Sequence, residues 1–259
     1  MLFVIDVGNT NVVLGIYEGD DLRFSYRMTT ERTRSSDEIG FFFLQILQNA
    51  NITTEQIEDV VISSVVPPIM HALENAVRKY IKKEPLIVSS ATPLPMKILL
   101  DNPLELGADR IVNAIAAHEI YGGPLIVIDF GTATTFCAVA ENGDYLGGII
   151  YPGLKISIDA LVERTAKLPK IEIIRPEHVI GKNTVQSMQS GLVHGYAGMV
   201  DSLVRKIAKE MNTDKVTVVA TGGLSVLISK EAETISHINR DLTLTGLKII
   251  YQKYLKEQA

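Results

Sequence analysis

Short runs of β-branched and aromatic residues open the chain at Leu2–Ile5, Val12–Tyr17 and Leu22–Met28, separated by turns rich in Gly and Asp. Apolar runs of this length, bounded by turn residues, predict three strands. A polar loop, TTERTRSS, follows and reads as solvated, with Arg32 and Arg34 in it. Ser35-x-x-Glu38 then forms a capping box ahead of the strongly apolar IGFFFLQILQNA, which predicts a helix. Val60–Val66 is nearly continuous and β-branched, as expected of a strand covered on both faces. Pro67 and Pro68 suit the first turn of a helix reaching about Lys82, in which Ile69, Leu73, Val77 and Ile81 recur every fourth position. Leu86–Val88 predicts one more short strand.

Past the Pro-rich TPLPMKILLDNPLEL, Ala108–Ile120 reads as a helix, and the pattern then restarts. Leu125–Ile128, Thr134–Val139 and Tyr145–Ile150 predict strands, and a helix follows Pro152-Gly153. A long helix is predicted from about Thr184 to Met211, a strand over Val216–Val219, and a last helix over roughly Leu244–Lys256. Each half therefore reads as three strands, a helix, a strand and a helix. The heads of the halves match in detail: FVIDVGNTN at Phe3–Asn11 and IVIDFGTAT at Ile126–Thr134. Asp and Gly commonly end strands, so one match alone means little. The matching order of the elements that follow favours a duplicated α/β fold.

The repeated turn carries a specific chemistry. An aspartate at the carboxyl end of a buried strand lies where α/β sheets bind ligands. The glycine after it lets backbone N–H groups approach an anion. Asn9, Thr10, Asn11, Thr132, Thr134 and Thr135 add polar side chains. Two such turns facing each other would hold a nucleotide's β- and γ-phosphates, with the aspartates orienting cations. Between the repeats, Gly107-Ala108-Asp109-Arg110 precedes a helix. On its own it reads as an N-terminal charge pair; beside a phosphate turn it also offers a carboxylate to accept a hydroxyl proton and a guanidinium to clamp an anion.

Composition narrows the field. A formal charge of −5 argues against electrostatic binding of nucleic acid or anionic lipid. The single cysteine, Cys137, excludes disulfide frameworks and cysteine metal sites and reads as a core residue. MLFVIDVGN lacks a basic stretch before its apolar run, so no export signal is expected, and no segment approaches a membrane-spanning length. A cytoplasmic location is the expectation. There is no G-x-G-x-x-G, VIGKNT only grazes the P-loop pattern, and the five histidines show no H-E-x-x-H spacing.

Five motifs together resemble type III pantothenate kinase: DVGNTN at Asp6–Asn11, GADR at Gly107–Arg110, DFGTATTF at Asp129–Phe136, GGIIYPG at Gly147–Gly153 and TGG at Thr221–Gly223. The resemblance covers essentially the whole chain. It implies the duplicated ribonuclease H-like (actin-like ATPase) fold of the acetate and sugar kinase, heat-shock chaperone and actin superfamily. Two similar βββαβα domains with a central cleft are expected, an N-terminal one over 1–106 and a C-terminal one over 107–259. It implies transfer of the ATP γ-phosphoryl group to the primary hydroxyl of pantothenate, the first step towards coenzyme A. A homodimer, Mg²⁺ with the nucleotide and a monovalent cation, K⁺ or NH₄⁺, are implied as well.

By motif position, Asp6, Val7, Gly8, Asn9, Thr10, Asn11, Val12 and Val13 would form the first ATP turn, with Asp6 near Mg²⁺. Asp129 would hold the monovalent cation and Thr132 would contact ATP. Thr221, Gly222 and Gly223 would face the adenosine. Gly107, Ala108, Asp109 and Arg110 would line the pantothenate site, with Asp109 as general base and Thr184 reaching the substrate. Leu100 stands where several relatives carry a substrate-contacting tyrosine. Gly191, Gly195 and Gly198, on one face of the long helix, are read as the dimer contact. The alternatives are a non-catalytic nucleotide-binding regulator or switch on the same fold, or a kinase for another small hydroxylated acid. Retention of Asp6, Asp109 and Asp129 weighs against the regulator.

Overall fold

The structure is a computed structural model and describes residues 1–94 and 96–255. Its contacts divide the chain into two compact units. The first is the described part of Met1–Pro95, Asp101–Ala116 and Leu242–Ala259; the second is Met96–Leu100 with Ala117–Asp241. Residues 101–116 and the C-terminal helix fall in the same unit as the N-terminal sheet.

In the first unit, β1 (Leu2–Val7), β2 (Asn11–Glu18), β3 (Asp21–Thr29), β4 (Asp59–Ser64) and β5 (Pro85–Val88) form a sheet in the order β3-β2-β1-β4-β5. β1 runs antiparallel to β2 and parallel to β4. Helix α1 (Ser36–Asn49) starts at the predicted capping box: the Glu38 N–H donates to Ser35 Oγ at 3.3 Å, and the Ser35 N–H donates to Glu38 Oε2 at 2.8 Å. Helix α2 (Pro67–Ala76) opens on its two prolines and runs into a π turn, Val77–Ile81, closed by left-handed Lys82.

Strand periodicity assigns the two faces of β1. Phe3, Ile5 and Val7 face a core containing Ile39, Phe43, Leu47, Ile69 and Leu73, with Phe3 edge-on to Phe43 at 5.3 Å. Leu2, Val4 and Asp6 therefore lie on the opposite face. Helix α7 (Leu242–Ile250) covers that face, and the side chains of its Leu244 and of Val4 both press on Gly15. Helix α3 (Ala108–Tyr121) crosses α7 at Gly246, where a methyl group would sit 2.6 Å from Val112 Cγ1. Thr243 donates to Asn113 Oδ1 at 2.8 Å across the same crossing. The C-terminal helix is further tied to the sheet by Lys248–Asp20 at 2.8 Å and by Tyr251 donating to Asp59. Helical bonding past Ile250 continues as a π turn to Leu255, and the expected end at Lys256 lies outside the described residues.

The second unit repeats the plan. Strands β6 (Leu125–Phe130), β7 (Ala133–Val139), β8 (Tyr145–Pro152), β9 (Thr217–Thr221) and β10 (His237–Ile238) form a sheet in the order β10-β9-β6-β7-β8. This is the first order read from the other edge, with the same parallel and antiparallel senses. β10 is the counterpart of β5, and no strand was expected there. Helices α4 (Leu154–Glu163), α5 (Thr184–Glu210) and the short α6 (Ser225–Ile228) complete the unit. Ile126, Ile128 and Phe130 face a core with Phe136, Leu154, Ala197, Val200 and Val204, so Asp129 falls on the opposite face, as Asp6 does in its sheet. The expected duplicated α/β fold is thus observed strand for strand. Among the described residues, no helix is long and apolar enough to cross a membrane.

Candidate active site

In the first unit Asp6 lies opposite Val13 on β2 and Ser63 on β4. Ser63 is fully buried and donates its hydroxyl to Asp6 Oδ1 at 2.7 Å, which orients a carboxylate that stays partly exposed. The next residues turn tightly: the Gly8 N–H donates to the Asn11 carbonyl at 3.0 Å, leaving Asn9 and Thr10 exposed. The side chains of Val7 and Val12 are core residues, so any contact they make with a ligand runs through backbone. Val13 is half-buried.

The same unit contains Gly107, Ala108, Asp109 and Arg110 at the start of α3. The Val65 N–H donates to the Val7 carbonyl at 3.0 Å, and a methyl group at Gly107 would lie 3.3 Å from Val65 Cγ1. The chain thus brings Gly107 to the carboxyl ends of β1 and β4, the end that carries the Asp6 turn. Asp109 Oδ1 accepts the Arg110 N–H at 2.7 Å and would lie 2.7 Å from a methyl group at Gly107. Burial pushes the Asp109 carboxyl above its ordinary pKa, against the lowering effect of the Arg110 N–H and guanidinium. The outcome is a carboxylate that is a stronger base than a solvated one.

In the second unit Asp129 lies opposite Thr135 on β7 and Thr221 on β9. Here the turn is one residue shorter: the Gly131 N–H donates to the Ala133 carbonyl at 3.2 Å, and Phe130 already pairs with Thr134. Thr132 is exposed. Thr134, read from the sequence as a polar donor of the turn, is buried and shares a 3.0 Å hydrogen bond with the Tyr196 hydroxyl. Its position in the ladder, set by the shorter turn, points it into the core. Tyr196 also donates to the Pro152 carbonyl.

Gly222, at φ +88°, lies tight against the aspartate: a methyl group there would be 2.6 Å from Asp129 Oδ1 and 2.7 Å from the Phe130 carbonyl. Thr221 is buried at the end of β9, whereas Gly223 is exposed. Thr184 is exposed at the first turn of α5, next to Asn183, whose side chain accepts the Gln186 N–H at 2.9 Å. Leu100 belongs to this unit, just after the backbone bridge between Ile98 and Tyr145.

Ser63 and Thr30 touch the first turn and were not singled out from the sequence; Thr30 lies in the loop expected to be solvated. Pairing of β2 with β3 through Asn11 and Thr29 is the signal that could have found Thr30, since it sets the next residue beside the turn.

Solved structures with this arrangement of elements span the whole chain. A conserved protein from Campylobacter jejuni, assigned to the Baf family of transcriptional activators, matches with a TM-score of 0.60 and 16% identity over 97% of this chain and 98% of its own. Component A of (R)-2-hydroxyglutaryl-CoA dehydratase from Acidaminococcus fermentans matches with a TM-score of 0.56 and 16% identity over all of both chains. The ROK hexokinase from Thermus thermophilus matches at 0.52 and 12% identity over 99% of each. At these identities the likeness is one of fold, the duplicated ribonuclease H-like fold of actin-like ATPases and sugar kinases. The family model for type III pantothenate kinase matches residues 2–206, a span that includes Asp6, Asp109, Asp129 and Thr184 but not Thr221–Gly223. The chain therefore belongs to the type III pantothenate kinase family, a family of phosphotransferases.

Proposed function

We propose that this chain is a pantothenate kinase, transferring the γ-phosphoryl group of ATP to the primary hydroxyl of pantothenate. The observation that carries this reading is the family match over residues 2–206, which takes in all three carboxylates of the motifs. Phosphoryl transfer asks little covalent work of a protein; positioning and charge neutralisation dominate. Asp109 takes the proton of the attacking hydroxyl, a role worth about 10²–10⁴-fold in rate. Burial makes it a better base than a solvated aspartate, while Arg110 favours its ionised form. The Arg110 guanidinium is assigned to the pantothenate carboxylate, with Gly107 and Ala108 lining the site through backbone and Thr184 reaching the acceptor.

The turn at Asp6–Val13 and the turn at Asp129–Thr132 are assigned to ATP, and Gly222 and Gly223 to its adenosine. Asp6 is an oriented, partly exposed carboxylate among oxygen donors, which suits a hard cation that also rides on phosphates. Asp129 is likewise partly exposed and held against Gly222. Mg²⁺ at Asp6 and K⁺ or NH₄⁺ at Asp129 would supply neutralisation of phosphate charge. A homodimer through α5 is part of the proposal: Gly191, Gly195 and Gly198 are exposed, with open space above each. Sedimentation as a monomer at micromolar concentration would reverse that assignment.

The test is an ADP-release assay with pantothenate, glucose, acetate or no acceptor, each in K⁺ and in Na⁺. Turnover with pantothenate alone, depressed in Na⁺, is expected. Equal turnover with glucose or acetate, or none with any acceptor, would sink the substrate reading, and indifference to the cation would sink the site at Asp129.

A further inference from the structure

Thr30 is the first residue after β3, and its two donors, the N–H and the hydroxyl, are both spent on the Gly8–Asn11 turn. Its hydroxyl donates to the Gly8 carbonyl at 2.7 Å, and its N–H donates to the Thr10 carbonyl at 2.9 Å. With the Gly8 N–H bonded to the Asn11 carbonyl, three bonds fix a four-residue turn. A peptide unit is planar and trans, so its carbonyl and the N–H that follows point in opposite directions. Holding the Gly8 and Thr10 carbonyls towards Thr30 therefore aims the Asn9 and Asn11 N–H groups away from it. Backbone N–H groups gathered on one side of a turn in this way are donors for an anion.

The second unit shows that the arrangement is particular to the first turn. The residue in the equivalent place, first after β8, is Gly153, which has no hydroxyl to offer. It backs its turn by close approach instead, so that a methyl group there would collide with the Thr132 carbonyl oxygen. In the longer first turn the Gly8 carbonyl is bonded by a side chain, that of Thr30.

We infer that Thr30 is a positioning residue for the nucleotide: through the Gly8 carbonyl it sets the backbone donors that the first turn presents to the phosphates of ATP. This rests on the proposed assignment of that turn to ATP, and the tests of the two are separable. Titration calorimetry with Mg-ATP on the wild-type chain tests the assignment. The same titration on Thr30→Val, which keeps the shape and removes the donor, and on Thr30→Ser, which keeps the donor, tests the inference.

The expected result is about fivefold to tenfold weaker Mg-ATP binding for Thr30→Val, the scale of one hydrogen bond. A matching rise in KM for ATP, an unchanged KM for pantothenate and near wild-type values for Thr30→Ser should accompany it. Failure of the wild type to bind Mg-ATP would overturn the assignment of the turn, and Thr30's role with it. A wild type that binds while Thr30→Val binds equally well would overturn the inference alone. So would a Thr30→Val chain that raises both KM values alike with a lowered Tm, or a Thr30→Ser chain as impaired as the valine variant.

Discussion

The turn after Asp6 and the turn after Asp129 close the same hairpin in the same sheet order, yet they are supported in opposite ways. In the first unit the supports are hydroxyl groups, Ser63 on the carboxylate and Thr30 on the backbone. In the second unit glycines lie close against both groups, Gly222 against Asp129 and Gly153 against the carbonyls of Gly131 and Thr132. A duplicated fold thus keeps its ladder while its supporting chemistry diverges. The two kinds of support fail differently. A turn held by hydroxyls is weakened by taking atoms away; a turn held by glycines is disrupted by adding them.

The largest effect is expected at Asp109, which the first unit carries and for which the second has no assigned counterpart. Asp109→Asn should lower kcat by about 10²–10⁴-fold. In the wild type, kcat should fall as pH drops through a value above the ordinary carboxylate range. The stability effect has the opposite sign. A raised carboxyl pKa means that the folded chain holds this proton more tightly than the unfolded chain does. The stabilising contribution is therefore present below the unfolded pKa and lost as pH rises through the folded one. Near neutral pH the Asn variant should melt at or above the wild-type temperature. A variant that keeps most of its turnover would remove the general-base role.

Next in size is Gly153→Ala, which adds one methyl group where the Thr132 carbonyl already lies. Overpacking of this kind costs about 1–3 kcal/mol. In a chain of this size that corresponds to a Tm lower by roughly 2–10 °C in scanning calorimetry. No change in Tm would break the comparison on the side of the second unit. The smallest effect is expected for Ser63→Ala, which removes the donor held by Asp6 and should weaken ATP binding by about 1 kcal/mol. Its signature is a rise in KM for ATP of a few fold with little change in Tm. A larger loss of stability than Gly153→Ala shows would invert the contrast between the two turns.

Much of this was legible along the chain, and the reasons are local. The Ser35–Glu38 box, Pro67-Pro68 and the four-residue spacing from Ile69 to Ile81 each act within a few residues, so sequence order reveals them. The duplicated Asp-x-Gly turns were readable because strand, turn and strand are contiguous. Thr134 was misread as a turn donor because aligning the two motifs assumes turns of equal length. The pairing of Phe130 with Thr134 shortens the second turn and rotates that side chain inwards. Ser63 and Thr30 are far from Asp6 and Gly8 in sequence and meet them only through strand pairing.

The sequence by itself determined the kinds of elements, their order, the repeat and the carboxylates, because periodicity, capping and turn chemistry are written in neighbouring residues. Only the tertiary structure decided which unit owns which helix. Val112 on α3 and Gly246 on α7, distant in the chain, fit closely, and that crossing brings the helix bearing Asp109 to the sheet bearing Asp6. Close packing between remote segments depends on the shapes of both partners, and no local pattern in either one records it.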